Sequence, residues 1–154
     1  YMDRAPIQEV DIHGGINSTL TILKYKLKQG VSVHKEYGNL PKISAYGSQL
    51  NQVWTNLIDN AIDAMGGKGQ IWIGTCQEGD RVLVEIVDNG VGIAPEIQSR
   101  IFEQFFTTKE VGKGTGLGLD IVRRIIVGQH KGDIRFETKP GETKFQVRLP
   151  IRLN

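Results

Sequence analysis

Asn56, Asn60 and Asp63 are three polar side chains spaced by four and then three residues. On a helix this spacing places them on one stripe, which borders the apolar side of the segment instead of lying opposite it. Polar amides at the edge of a core are costly unless they find partners. Two interpretations are open. Either the amides bond to a neighbouring loop, or the amide oxygen of Asn60 faces a cation, which suits the preference of Mg²⁺ for hard oxygen ligands.

A second polar segment, Asp88-Asn89-Gly90-Val91-Gly92, follows a predicted strand. Asn-Gly at such a place is typical of a hairpin turn. The chain continues through Ile93 to Pro95, however, and proline is typical of the first position of a helix. We therefore predict a loop whose two glycines let the backbone approach a flat ligand. The Asp88 carboxylate can accept a hydrogen bond from an exocyclic amine such as that of adenine.

A third segment has glycine at every second position from 112 to 118 and runs directly into an apolar helical pattern. Alternating glycines expose consecutive amides beside the positive end of a helix, which favours a phosphate site. The spacing matches neither a Walker A loop nor a dinucleotide fingerprint. Lys109 and Lys113 can neutralise phosphate charge. The alternatives are a flexible glycine linker and solvated lysines, and solvation is the stronger interpretation for Lys113.

Three phenylalanines, Phe102, Phe105 and Phe106, precede this glycine-rich segment. Aromatic residues usually pack in a core. Here they can also anchor the hinge of a lid that closes on a bound nucleotide.

The elements that must position these residues follow from hydrophobic periodicity. Steps of three and four predict a strong helix over 48–65 and another over 12–28. A shorter helix is expected from Pro95 and a further one over 117–127, after a mobile loop over 106–115. Strands are predicted at 31–37, 43–45, 70–76, 81–87, 133–138 and 143–149. This mixed order favours an α+β fold, a two-layer α/β sandwich with helices on one face of a mixed, mainly antiparallel sheet.

Bulk composition limits the class of protein. A chain of 154 residues suits one globular domain. Its composition, with 39% apolar and 23% charged residues, excludes a disordered chain. No apolar run reaches the ~20 residues of a spanning helix. The net charge of +2 is spread along the chain and gives no support to nucleic-acid binding. Cys76 lies in a predicted strand, and we expect a small core residue of a protein in a reducing cytosol.

Taken in order, these segments resemble the catalytic, ATP-binding domain of sensor histidine kinases. The resemblance covers 51–65 (N box), 88–93 (G1 box), 102–109 (F box) and 112–119 (G2 box), together with a final hairpin that begins at His130-Lys131-Gly132. The F box is similar to that of the nitrogen-regulation type, with Gln104 where a proline is often found. The resemblance implies the Bergerat ATP-binding fold with a mobile ATP lid, shared with type II topoisomerases and heat-shock chaperone ATPases.

The resemblance also implies roles at matching positions. Asn60 would ligate Mg²⁺, Asp88 would bind the adenine amine, and Gly90 and Gly92 would shape the base pocket. Lys109 would reach the phosphates from the lid, so the expected catalytic residues are Asn56, Asn60 and Lys109. The residues expected to bind ATP or ADP with Mg²⁺ are Asn60, Asp63, Asp88, Gly90, Gly92, Ile93, Phe102, Thr108, Lys109, Gly114, Thr115, Gly116, Leu117 and Gly118.

Domain organisation follows from the same resemblance. Residues 1–10 are expected to be an edge or a linker from an upstream dimerisation domain, and residues 11–154 the catalytic domain of a bacterial, cytoplasmic kinase. None of His13, His34 and His130 resembles the phospho-acceptor, and all three are predicted to be surface or structural residues. The acceptor would lie on the upstream domain, with a response regulator downstream. We expect a monomer without membrane contact or nucleic-acid partner.

Asn56 separates this chain from other members of the superfamily. Hydrolases and serine kinases carry a glutamate there, as a base toward water or serine, so its absence disfavours both and predicts little turnover by the isolated domain. A further alternative is a nucleotide-binding switch that signals through its lid without transferring phosphate. Phosphorylation of a dimerisation domain in trans separates the switch from the kinase, and hydrolysis by Asn56→Glu would show an otherwise complete site.

Overall fold

The computed structural model describes residues 6–104, 106 and 118–153. The helices are α1 (Ile12–Ile22), α2 (Lys24–Leu27), α3 (Gly47–Ala64) and α4 (Leu119–Arg123), with a 3₁₀ helix at Pro95–Arg100 and a π-helix at Arg124–Gln129. The strands are β1 (Gln8–Val10), β2 (Val31–Tyr37), β3 (Ile43–Ala45), β4 (Gly69–Glu78), β5 (Arg81–Asp88), β6 (Asp133–Lys139) and β7 (Glu142–Pro150).

A five-stranded sheet in the order β2-β4-β5-β7-β6 forms one layer. β2 runs parallel to β4, and the other neighbours are antiparallel. β1 and β3 form a separate antiparallel pair. The predicted α+β fold with a mixed, mainly antiparallel sheet is confirmed.

The core lies between the sheet and helices α1, α3 and α4. On β5 the buried face alternates through Val82, Val84 and Ile86, as a strand with one covered face requires. α3 covers it with an apolar stripe that includes Trp54 and Leu57, both 1% exposed. Burial of this stripe stabilises α3, whose polar stripe is left at the edge of the core.

Cys76 corrects one prediction, because the structure exposes it. On β4, Ile71, Ile73 and Thr75 face the helices, so the next residue faces the open side of the sheet. The strand was predicted, but the alternation of buried and exposed residues along it was not used to place Cys76.

Two helices differ from their predicted form. The single helix expected over 12–28 is broken at Leu23, where φ is −88° and ψ is 6°, and the amide of Lys26 donates to the Leu23 carbonyl in a tight turn. The helix expected over 117–127 begins at Leu119 and widens into the π-helix. Here the amide of His130 donates to the Ile125 carbonyl, a step of five residues.

The three histidines occupy different environments. His130 is 1% exposed and its Nε2 accepts from the Tyr46 amide at 3.1 Å, while Nδ1 lies 2.9 Å from the Ile125 carbonyl oxygen. His130 is therefore structural, as predicted. His13 stacks on Tyr37 with ring centroids 4.1 Å apart, and the exposed His34 lies on the open face of the sheet. No helix within the described ranges is long and apolar enough to cross a membrane.

Candidate nucleotide-binding site

A cavity of about 410 Å³ opens between α3, the loop after β5 and the start of β7. Its volume lies within the range of about 300–1,000 Å³ that is usual for small-molecule sites. The walls are mostly apolar, with few polar side chains among them, and this suits a ligand with a flat apolar part. The lining residues are Asn60, Ala61, Asp63, Ala64, Gly66, Asp88, Val91, Gly92, Ile93, Ile97, Leu119, Thr143 and Phe145.

The polar stripe of α3 divides into two parts. Asn60 and Asp63 line the cavity. Asn56, one turn earlier, is not among the lining residues, and its Nδ2 donates to the Gly118 carbonyl at 3.2 Å. The first interpretation is confirmed for Asn56, which bonds to a neighbouring loop. Asn60 lines the cavity, and its role toward a cation stays a prediction.

Asp88 ends β5 as a buried carboxylate, 4% exposed, within the cavity wall. Its Oδ1 accepts a hydrogen bond from the Gly90 amide at 2.8 Å. The pKa of Asp88 is raised to about 6, chiefly by burial, with a smaller rise from the nearby Glu142, while the hydrogen bond from the Gly90 amide lowers it. An ionisable group with a perturbed pKa in an otherwise apolar cavity is typical of a functional site.

The loop over 89–93 packs closely on the protein itself. A Cβ on Gly90 would lie 2.5 Å from the Ala64 carbonyl oxygen, and one on Gly92, which has φ of +83°, would lie 2.4 Å from the Lys139 carbonyl oxygen. The glycines were expected to admit a flat ligand, and Gly92 does line the cavity. The atoms that most closely restrict both glycines, however, are backbone carbonyl oxygens. The loop packs against this backbone, between α3 and the β6–β7 hairpin.

Two threonines at this hairpin were missed by the sequence analysis. The Ile93 amide donates to Thr138 Oγ1 at 2.9 Å, and Thr138 Oγ1 lies 2.8 Å from Thr143 Oγ1. Thr143 lines the cavity and stands directly opposite Asp88 in the β5–β7 pairing. A two-residue turn at Pro140-Gly141 pairs Thr138 with Thr143, so the sequence contains a signal for the contact between the two threonines.

Gly118 marks the start of α4 in the left-handed conformation, with φ of +64°. Its carbonyl accepts from the Val122 amide and from Asn56, and a Cβ would lie 2.8 Å from Asn56 Nδ2. The next residue, Leu119, lines the cavity. α4 is thereby fixed against α3 at the edge of the cavity.

Several predicted site residues are placed elsewhere or lie outside the described residues. Phe102 is not in the cavity wall. Its ring lies 6.0 Å from that of Phe136, and the Arg123 guanidinium lies 5.6 Å from its centroid. Gly90 contributes through its amide and not as a lining residue. Outside the described residues lie Thr108, Lys109, Lys113, Gly112, Gly114, Thr115, Gly116 and Leu117, together with Phe105.

The residues at the cavity suit a nucleotide-bound magnesium ion. Within the described ranges no group of three His, Cys, Asp or Glu side chains could hold a metal by itself. Mg²⁺ in nucleotide sites usually takes one or two protein oxygens and completes its shell with phosphate and water. Asn60 in the cavity wall can offer one such oxygen.

Comparisons with known proteins identify the family to which the chain belongs. Residues 45–153 match the family described as histidine kinase-, DNA gyrase B-, and HSP90-like ATPase. The sensory histidine kinase/phosphatase NtrB of Escherichia coli O157:H7 is 35% identical over 153 residues, which cover 92% of this chain and 43% of that protein. The chain therefore spans less than half the length of this curated relative.

Solved structures share the fold. The catalytic domain of histidine kinase ThkA in a nucleotide-free form matches with a TM-score of 0.87 at 31% identity, over 96% of this chain and 97% of that one. Histidine kinase ThkA in complex with response regulator protein TrrA matches with a TM-score of 0.81 at 28% identity, over 94% of this chain and 42% of that one. The fold predicted from the four boxes is confirmed.

Proposed function

Because the chain belongs to the family of histidine kinase-, DNA gyrase B- and HSP90-like ATPases, we propose that it is the ATP-binding catalytic domain of a two-component sensor histidine kinase. It delivers the γ-phosphoryl group of ATP to a histidine on a separate dimerisation domain. The relative NtrB, 35% identical to this chain, is named a sensory histidine kinase/phosphatase, which supports the assignment.

The observation that carries the proposal is Asp88 in the wall of the cavity. A buried carboxylate is costly unless a partner compensates it. The Gly90 amide occupies one oxygen. An adenine amine could donate to this carboxylate while the ring lies against apolar neighbours such as Ile93 and Phe145. The site therefore favours a purine with an exocyclic amine.

Asn60 would hold the magnesium ion that accompanies ATP, and Asp63 lies beside it in the wall. The bound ion would neutralise charge on the phosphates. Phosphoryl transfer depends mainly on positioning and on charge stabilisation. Of these requirements, the described residues of this chain supply positioning of the donor through Asp88, Asn60 and the apolar wall. Lys109 and the residues over 114–118 would contact the phosphates.

The acceptor belongs to another part of the kinase. His130 is buried with both ring nitrogens engaged, and His13 lies 2.7 Å from Thr75 Oγ1. Neither is placed to receive a phosphoryl group from the cavity. The partners we propose are an upstream dimerisation and phosphotransfer domain and a response regulator, the latter suggested by the ThkA–TrrA complex.

Calorimetric titration with ATP, with and without Mg²⁺, tests the proposal. Asp88→Asn is expected to abolish binding, and Asn60→Ala to remove its dependence on magnesium. Asp80→Asn, at the exposed turn at the other end of β5, and Asn51→Ala, on an exposed part of α3, are matched controls that should bind as the wild type. A wild-type protein that releases no heat with ATP would refute the proposal.

A further inference from the structure

Thr138 is a polar residue outside the cavity that joins three segments of the site. It lies on β6, one residue before the end of the strand, and is not among the lining residues. Its Oγ1 accepts from the Ile93 amide at 2.9 Å and lies 2.8 Å from Thr143 Oγ1 and 3.3 Å from the Glu142 carbonyl oxygen. One hydroxyl therefore contacts the loop after β5 and two residues of β7.

Valence restricts what this hydroxyl can do. A threonine hydroxyl has one proton to donate and two lone pairs to accept with. The Ile93 amide uses one lone pair. The proton then goes either to Thr143 Oγ1 or to the Glu142 carbonyl, and the choice decides whether Thr143 can turn its own proton into the cavity. The direction of the Thr138 hydrogen bond thus decides whether the Thr143 hydroxyl acts as a donor or as an acceptor toward the cavity.

Thr143 is the route from Thr138 to the ligand. It is 3% exposed, lines the cavity and stands opposite Asp88 in the β5–β7 register. Ile93, bonded to the same hydroxyl, lines the cavity as well. At Gly92 the loop lies so close to the Lys139 carbonyl that no side chain would fit between them. The loop is therefore packed against the hairpin, where Thr138 can bond to the Ile93 amide.

We propose that Thr138 is a positioning residue for nucleotide binding, which acts through Ile93 and Thr143 without touching the ligand. The proposal rests on the proposed ATP site and adds the residue that aligns its base-binding end. Removal of the hydroxyl leaves the partly buried amide of Ile93 without this partner and frees the Thr143 hydroxyl, and both changes fall on cavity residues.

ATP titration of Thr138→Val and Thr138→Ser tests the positioning role. Val is expected to raise the Kd for ATP about three- to ten-fold, as loss of one hydrogen bond would. Ser keeps the hydroxyl and should restore affinity. Thr75→Val is the matched control. Thr75 is a buried threonine of the same sheet that bonds to the Gly38 amide outside the cavity wall, so its loss can lower the melting temperature but should leave the Kd unchanged.

A double-mutant cycle with Thr143→Val separates positioning from general damage to the fold. If Thr138 acts through Thr143, the double variant should lose little more affinity than either single one. Independent losses that multiply, or a Thr138→Val variant that binds ATP as the wild type does, would overturn the proposal.

Hydrogen exchange of the Ile93 amide in the ligand-free protein gives a readout that does not depend on ATP. Exchange should speed up in Thr138→Val and not in Thr138→Ser. Unchanged exchange would overturn the coupling between hairpin and loop. A wild type that binds no ATP, by contrast, would refute the proposed function and leave this exchange result to judge the coupling alone.

Discussion

We expect the Asp88 carboxylate to favour ATP binding and to lower the stability of the ligand-free protein. A carboxylate whose pKa is raised from 3.8 to about 6 by burial is harder to ionise in the folded protein than in the unfolded chain. The raised folded pKa means that ionisation favours the unfolded state. Its cost to stability is absent below about pH 4, grows between the two pKa values and is fully present above about pH 6.

Asp88→Asn should therefore stabilise the ligand-free protein at pH 7 while it removes ATP binding. The amide can still accept from Gly90 through its oxygen, and it carries no charge to desolvate. We expect a gain of roughly 1–3 kcal/mol in the free energy of unfolding at pH 7. The gain should vanish near pH 4. Urea unfolding across this pH range, with Asp80→Asn as the control, measures it.

A loss of stability in Asp88→Asn at neutral pH would contradict this account, because it would mean that the charge is compensated in the ligand-free fold. Binding and stability would then not oppose each other at this residue. Ligand binding and folding stability often oppose each other where a site holds a buried polar group that only the ligand compensates.

At the scale of elements, Gly92 seats the loop after β5 on the β6–β7 hairpin. Gly92→Ala introduces both the strain of a positive φ and a Cβ that meets the Lys139 carbonyl. Gly79→Ala, at the β4–β5 turn, introduces a positive φ alone, because nothing lies within 4 Å of its Cβ. We expect a loss of about 1 kcal/mol for Gly79→Ala and about 2–4 kcal/mol for Gly92→Ala in chemical denaturation. Equal losses would show that the hairpin yields to the added methyl.

His130 joins the end of the π-helix to the start of α3. Burial lowers the pKa of His130, partly opposed by its bond to the Ile125 carbonyl. In the neutral ring Nε2 accepts from the Tyr46 amide, and protonation would turn this acceptor into a donor facing a donor. The contribution of His130 to stability is therefore complete above about pH 6.5 and is lost as the pH falls toward the lower folded pKa.

His130→Ala should cost about 2–4 kcal/mol at pH 7 and should make unfolding less dependent on pH below about 6.5. The exposed His34→Ala is the matched control and is expected to change stability by less than about 0.5 kcal/mol. Asp88 titrates between about pH 4 and pH 6 with the opposite sign, so the comparison is made on the difference between variant and wild type. An unchanged pH dependence in His130→Ala would contradict the assignment.

Sequence periodicity predicts elements whose environment is uniform along their length. α3, β5 and β7 were predicted for this reason, since one face of each is buried along its length. β1, the break at Leu23 and the π-helix were not predicted. They depend on tertiary contacts such as the pairing of β1 with β3 and the seat of His130.

The candidate site, like the fold, was predicted only in part from the sequence. Asp88 and Asn60 stand out by residue type and by their neighbours in sequence, and the structure places both at one cavity. Thr143 was not found, because its role comes from the register of β7 against β5, which brings it opposite Asp88. Thr138 was missed because its bond to the Ile93 amide joins residues 45 positions apart, although the hairpin turn pairs it locally with Thr143. Residues that act through long-range pairing carry no local signal.

At the scale of the whole molecule, we propose that the chain supplies the phosphoryl donor and that the acceptor lies on a separate domain. The resemblance implies a glutamate at the position of Asn56 in hydrolytic members of the superfamily, and the Asn56 Nδ2 is bonded to the Gly118 carbonyl at 3.2 Å. An amide used in this way cannot serve as a base toward water. The proposed kinase therefore needs its separate dimerisation domain to complete the reaction.

The isolated chain is accordingly expected to bind ATP with Mg²⁺ and to release little phosphate. Addition of a separately expressed dimerisation domain from the same parent protein should produce acid-labile phosphohistidine on that domain, and Asn60→Ala should abolish the transfer while Asn51→Ala retains it. Phosphate release and radiolabel transfer are measured side by side. Sustained phosphate release by the chain alone, lost in Asn60→Ala, would instead indicate a hydrolase. ATP binding without transfer to any dimerisation domain would favour a nucleotide-binding switch, because positioning of the donor would then have no chemical step to serve.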